Sequence, residues 1–277
     1  MGMFFPDDRE YNENVRQTGF NRYKQLLSVR FGPWWRVNLL TLAGFLPLAV
    51  GIVYAIGVSS ILVLCPCSIL GGMIAGPFLA GLYDAILRGL RDDPKPWWDC
   101  WKRSWKQNWK GSVLLGAVMG GLLGTYSFMG MLFWWAEVPP SPGTVALYLS
   151  GLLLILVVNT LLWPQVVLFE QRPSVRLRNT VLLLVKHFWR VMGVGLLQLA
   201  YLAILVLFAP WTLLLLPVTG VWYIVFLSQL LIYEQMDGDL HIEESFDAAS
   251  GALGERGNPA GALSARIAGG SDTGAAK

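Results

Sequence analysis

The sequence predicts an all-α polytopic membrane bundle of six transmembrane helices, built as three hairpins, each preceded by an interfacial amphipathic helix. Three observations carry that prediction. Apolar residues make up 55% of the 277-residue chain and charged residues only 14%, where soluble domains carry about 25% charged residues. The charges are also segregated: none lies from Val37 to Tyr83, and none between Lys110 and Glu137. Tryptophans gather beside cations at the edges of these stretches, as in "WWDCWKRSWKQNWK" (97–110). A spanning helix needs about 20 predominantly apolar residues, because every backbone polar group must be satisfied inside the helix once water is excluded.

The predicted spans are 37–57, 66–88, 112–135, 144–168, 191–210 and 213–234. Between the last two, in "APWTLLLLPVTG", apolarity barely drops, and only Pro210 and Pro217 mark a break. Cations cluster after span two (Arg91, Lys95, Lys102, Arg103, Lys106, Lys110) and after span four (Arg172, Arg176, Arg178, Lys186, Arg190). The other connections, "GVSSILVLCPCS", "AEVPPSPG" and the turn at Pro210, contain no Lys or Arg. Lys and Arg are retained on the cytoplasmic side, so both termini and the two basic loops are expected there. Residues 1–21 then form a polar cytoplasmic N-terminus, 22–236 the membrane domain and 237–277 a disordered, Gly-, Ala- and Ser-rich cytoplasmic tail. The N-terminus lacks the basic-then-apolar order of a signal peptide.

A short motif recurs ahead of the outgoing spans. "PWWRVNLL", "QNWKGSVLL" and "HFWRVMGVG" each place Trp and then a cation before an apolar run: Trp35-Arg36, Trp109-Lys110 and Trp189-Arg190. With Trp101 and Trp105, which share a helical face with Trp109 at four-residue spacing, these residues are expected to anchor the chain at the interface. An indole suits the boundary between hydrocarbon and headgroups, while Lys and Arg reach lipid phosphate. The returning spans end alike, in "LYD", "LFE" and "IYE". This pattern predicts a cytoplasmic charge ring in which Asp84, Glu170 and Glu234 meet Arg36, Lys110 and Arg190. The rivals are a local i,i+4 pair between Asp84 and Arg88, or six charges that each reach water independently.

Inside the spans, Asn38, Asn159, Gln165, Gln198 and Gln229 are candidates for interhelical hydrogen bonds, a use that competes with a substrate path for which Asn159 is the deepest candidate. Gly116, Gly120 and Gly124, with Gly72, Gly76 and Ala80, form small-residue stripes that let helix backbones approach. These serve either packing within the chain or a homodimer seam.

"NLLTLAGFLPLAVG" followed by "GPFLAGLYDAILRGLRDDPKPWWDCWKRSWKQNWKGS" resembles the bacterial YesL-like family, a domain of unknown function. The likeness rests on Asn38, Pro47, Gly76-Pro77, Tyr83, Arg88, Arg91-Asp92 and the closing "NWK". It implies an integral, multi-pass protein of the bacterial cytoplasmic membrane, encoded near carbohydrate ABC uptake systems. It defines no catalytic or ligand residues.

The remaining chemistry is sparse. A net charge of +3 gives no field for nucleic acid. Cys65, Cys67 and Cys100 lack the spacing of a zinc site or a disulfide framework. His187 and His241 lie in no metal-ligand motif, and no Ser or Thr has a supporting base, so neither catalytic residues, metal nor cofactor is expected. The leading expectation is a non-enzymatic accessory or scaffold protein. It would touch anionic lipid of the cytoplasmic leaflet and, by the resemblance, a sugar ABC transporter or other membrane partner. The alternative is a small-solute channel or passive carrier.

Overall fold

The computed structural model describes residues 19–93 and 95–246. Every regular element among them is helical. α1 spans Gly19–Gly57, α2 Ile61–Leu90, α3 Trp97–Trp135, α4 Pro142–Leu168, α5 Pro173–Lys186, α6 Phe188–Leu207 and α7 Gly220–Leu240, with a 3₁₀ turn at Trp211–Leu214 before α7. Two compact units are present, 1–232 and 233–277.

Five helices, α1, α2, α3, α4 and α6, are long and apolar enough to cross a membrane. α7 is not among them. The first residues of the predicted sixth span, 213–219, form the 3₁₀ turn and further turns. Gln229, Glu234, Gln235 and Asp237 then dilute the apolar face of α7. The six-helix count therefore narrows to five strongly apolar helices plus one more polar helix.

The interfacial helices also differ from expectation. α1 and α3 are each single helices of 39 residues that run unbroken from the polar segment into the apolar one. Neither "RYKQLLSVRF" nor "WDCWKRSWKQ" contains a helix breaker, and Pro33, just past the first, removes one N–H without ending α1. Only α5 is separate, parted from α6 at His187, whose φ of −113° and ψ of 33° leave helical geometry. The expected loop around "CPC" is absent too. Ser59, in the left-handed region at φ 50°, and Ser60 make the turn, and α2 already contains Cys65 and Cys67.

Helix ends follow local chemistry. Ser141 accepts from the Thr144 N–H at 3.2 Å and Pro142 opens α4, where a missing N–H is harmless. α2 ends as Asp92 enters the left-handed region (φ 59°), with the Arg91, Asp92 and Asp93 N–H groups bonded back to Leu87, Gly89 and Arg88 carbonyls.

The buried stripe of α3 consists of small residues at four-residue spacing: Cys100, Ser104, Ser112, Gly116, Gly120 and Gly124. It meets the matching stripe of α2 backbone to backbone. A Cβ at Gly72 would strike the Gly116 carbonyl oxygen, and one at Gly116 would lie 2.8 Å from the Gly76 Cα. Glycines thus bring these two helices into direct main-chain contact, where dispersion replaces the hydrophobic drive that lipid does not supply. The stripe serves packing within the chain.

In the second unit, helix resumes at 242–246 after His241, whose φ is 49°. The Glu243 N–H donates to Asp237 Oδ1 at 2.8 Å, and Tyr233 donates to Glu243 Oε1 at 3.2 Å. The first ten residues of the expected disordered tail are thus largely helical. Its remainder, like most of the expected N-terminal segment, lies outside the described residues.

Candidate functional site

Two features stand out: a charged latch on the α2–α3 loop and a cavity between the helices. The latch begins with Arg22 on α1, buried at 6% exposure. Its guanidinium donates to the Leu90 carbonyl at 2.9 Å and bridges Asp92 at 2.7 Å. Arg30, two turns on, donates to the Asp93 carbonyl at 2.9 Å. From α2, Arg88 bridges both Asp84 at 2.8 Å and Asp93 at 2.7 Å. Burial alone would raise the Asp93 carboxyl. The Lys95 N–H, the Arg88 guanidinium and the nearby Lys95 charge outweigh it and hold Asp93 below the ordinary carboxylate range. Trp34, 1% exposed, closes the base of this region by donating to the Ala85 carbonyl at 3.1 Å, and packs on Phe226 at 4.6 Å between ring centroids.

This arrangement replaces the expected charge ring. Asp84 pairs locally with Arg88, while Glu170 and Glu234 are exposed. Among the described residues no ion pair joins any of these three carboxylates to Arg36, Lys110 or Arg190. Arg36 instead lies 6.0 Å from the Trp97 ring, and Lys110 and Arg190 are exposed. An i,i+4 partner on the same helix is already in place when the helix forms, whereas a ring requires three hairpins to converge.

The anchor tryptophans divide. Trp35, Trp105, Trp109 and Trp189 are exposed. Trp101 is partly buried, stacked on Trp98 at 5.5 Å with an interplanar angle of 1° and lying against Gly81. Its Nε1 is buried with no hydrogen-bond partner among the described residues. It borders the Cys100–Ser104 stripe, so it packs rather than anchors. Trp34, not its neighbour Trp35, is the buried member of "PWW". Its signal was the stripe of Leu26, Trp34, Asn38 and Thr41, all buried on α1.

The intramembrane amides all act between or within helices. Asn38 is fully buried and caps α7 from α1. Its Oδ1 accepts from the Val221 and Trp222 N–H groups at 3.1 and 3.3 Å, and its Nδ2 donates to the Leu216 and Pro217 carbonyls at 3.1 and 3.2 Å. One side chain thereby satisfies four of the main-chain groups that a helix start and the turn before it leave open. Gln198 donates to Thr160 Oγ1 and Ser228 Oγ, each at 2.7 Å, tying α6 to α4 and α7. Gln229 donates to the Thr160 carbonyl at 3.0 Å. Gln165 donates to Thr180 Oγ1 at 2.9 Å, tying α4 to α5. Asn159 bonds within α4, to the Ile155 carbonyl and from Trp163 Nε1.

Beside this network lies a cavity of about 290 Å³. Gly72 and Gly116 of the glycine seam, Leu156, Trp163, Gln198 and Leu202 are among its lining, and no Asp, Glu, Lys, Arg, His, Ser or Cys is. Tyr83, 4% exposed, lines it too and stacks on Trp163 at 6.0 Å. Sequence reading singled out Gln198 and Asn159 and met Tyr83 only within "LYD" and among the residues of the family resemblance. The cavity itself had no signal in the chain, because six helices contribute to it.

No family model, curated protein or solved structure matches the chain. The geometry is therefore the basis for function. Among the described residues no group of three His, Cys, Asp or Glu side chains is placed to hold a metal, and the cysteines are unpaired.

Proposed function

We propose that this protein is a non-enzymatic, multi-pass membrane scaffold or accessory protein, with α7 completing a sixth crossing and both termini on the cytoplasmic side. The observation that carries the scaffold reading is the use made of the interior amides. Asn38, Gln165, Gln198 and Gln229 each spend their amide donors on another helix or a turn. Among the described residues only Gln198 Oε1 and the Tyr83 hydroxyl stay unpaired on the cavity wall, too few for a continuous polar path. A carrier for sugars or ions needs unpaired donors, acceptors or charges along its route. The cavity lining supplies no charge. α7, with 21 residues, is about 31 Å long, close to the roughly 30 Å of the bilayer core. Exposed Lys102, Arg103, Lys106, Lys110, Arg172, Arg178, Lys186 and Arg190 support contact with anionic lipid, each worth about 1 kcal/mol near such a surface.

The YesL-like resemblance adds association with carbohydrate uptake, through a sugar ABC transporter, to this proposal. Purification from native membranes under mild detergent, followed by identification of bound chains, tests it. A stoichiometric membrane partner is expected. Reconstituted liposomes should show no sugar or ion flux above empty vesicles. Flux that scales with protein would replace the scaffold reading with the channel or carrier. Reporters placed after Lys277 and near Pro140 should give opposite sidedness, and equal sidedness would remove the sixth crossing or the orientation.

A further inference from the structure

We infer that the cavity is a binding site for a small uncharged amphiphile, a single alkyl chain bearing one hydroxyl, drawn from the surrounding bilayer. The inference rests on the membrane placement proposed above and adds a ligand to it.

Size sets the first limit. The volume of about 290 Å³ is roughly twice the 150 Å³ of an engineered apolar cavity that takes benzene. That leaves room for about a dozen non-hydrogen atoms. The walls set the second. They are mostly aliphatic carbon and glycine backbone, and none carries a charge. A carboxylate, phosphate or ammonium placed there would lose its hydration with no counter-charge, at a cost of several kcal/mol. The body of the ligand is therefore alkyl and its head neutral.

Two lining residues define the head. Gln198 is 9% exposed and donates through Nε2 to Thr160 and Ser228, yet its Oε1 accepts from no described group. Tyr83, 4% exposed, stacks on Trp163, and its hydroxyl has no hydrogen-bond partner among the described residues. The other polar side chains of the lining are engaged. Asn159 has both ends bonded within α4, Thr160 donates to the Leu156 carbonyl, and Tyr201 donates to the Gly220 carbonyl. A ligand hydroxyl can donate to Gln198 Oε1 or accept from the Tyr83 hydroxyl, and either contact suits a neutral alcohol head. A sugar brings several hydroxyls and finds no partners for the rest, so the cavity selects against the polyols of the uptake reading.

The test uses the full chain in liposomes and a ten-carbon primary alcohol carrying a diazirine on its chain, with cross-link positions read by mass spectrometry. Labelling should concentrate on α4 and α6 around Leu156 and Leu202. Unlabelled 1-decanol should compete, with decane about five-fold weaker for want of the hydrogen bonds and decanoate ineffective at a pH where it is ionised. Tyr83→Phe and Gln198→Leu should keep the labelling and each shrink the preference of alcohol over alkane. Leu202→Trp and, separately, Leu156→Phe should fill the space and remove the labelling while thermal unfolding stays cooperative.

Labelling spread over the lipid-facing surface, labelling that 1-decanol does not reduce, or labelling unchanged in both filled variants would overturn the inference. Equal protection by decanoate would overturn the neutral head. Carbonate extraction of the protein from membranes would instead reject the membrane placement, and the labelling result, repeated in detergent, would still stand or fall on its own.

Discussion

Arg22 and Asp92, 70 positions apart, form a 2.7 Å ion pair that fastens the head of α1 to the turn after α2. The arginine side chain is almost wholly buried while the aspartate is half exposed, so the two ends of the bridge have unequal consequences. Arg22→Ala removes a buried donor that also serves the Leu90 carbonyl and should lower stability by about 1–3 kcal/mol. Asp92→Asn keeps a residue that tolerates the left-handed backbone and loses only a partly screened charge, so it should cost less than about 1 kcal/mol. Asp92→Val places a β-branched side chain at φ 59° and should cost more than the asparagine. Thermal unfolding of the three variants in one detergent gives the order.

Asn38 should act as a remote cap. Asn38→Leu, close in size and without hydrogen bonds, should destabilise the start of α7 by about 1–2 kcal/mol. Hydrogen exchange at the Val221 and Trp222 amides, which Asn38 Oδ1 accepts, should quicken by about ten-fold or more. Unchanged exchange there would remove the capping role even if overall stability fell.

The glycine seam should tolerate no side chain. Gly72→Val and Gly116→Val each drive carbon into the backbone of the facing helix, and the expected outcome is failure to yield monodisperse protein. Gly193 on α6 has open space where its Cβ would stand. Gly193→Ala should therefore be neutral or stabilise by up to about 1 kcal/mol, since alanine is the better helix former. Size-exclusion profiles of the three separate packing from propensity.

The latch should weaken in acid. Asp93 has a folded-state value below the ordinary carboxylate range, so it binds its proton less readily folded than unfolded. Its stabilising contribution is present above about pH 4, the unfolded value, and is lost as the pH falls through the lower folded value. Stability of the parent protein and of Asp93→Asn, measured between pH 3 and 7, should converge toward the acid end and separate above it.

Much of the architecture is readable from where the charges stop. α3 and α4 end where the apolar runs meet Ala136-Glu137 and Glu170, because lipid-compatible helices must close their hydrogen bonds before polar chain begins, whereas the turn at Ser59 lies inside the charge-free stretch and has no such mark. Helix starts are less readable. "RYKQLLSVRF" and "WDCWKRSWKQ" change polarity without changing helical propensity, and composition therefore marks a boundary that the backbone does not. Glycine spacing showed which faces of α2 and α3 allow close approach. The partner of Asn38 was out of reach, since the groups it caps lie 178 to 184 positions away. The same holds for the cavity, whose free Tyr83 hydroxyl is defined only by what six helices leave around it.

The unbroken course of α1 and α3 gives the molecule a mechanical character. Each rod has 39 residues and is about 58 Å long, nearly twice the roughly 30 Å hydrocarbon depth. Each therefore carries a shorter polar arm and a longer apolar arm in one helix and reaches well beyond the hydrocarbon depth. In α1, Pro33 and Pro47 are the points where the rod bends most easily, and Pro33 lies between the two arms. Through the glycine seam, the apolar arm of α3 is held in main-chain contact with α2. The head that carries Arg22 and the cavity walls at Phe45 and Leu48 therefore belong to one helix.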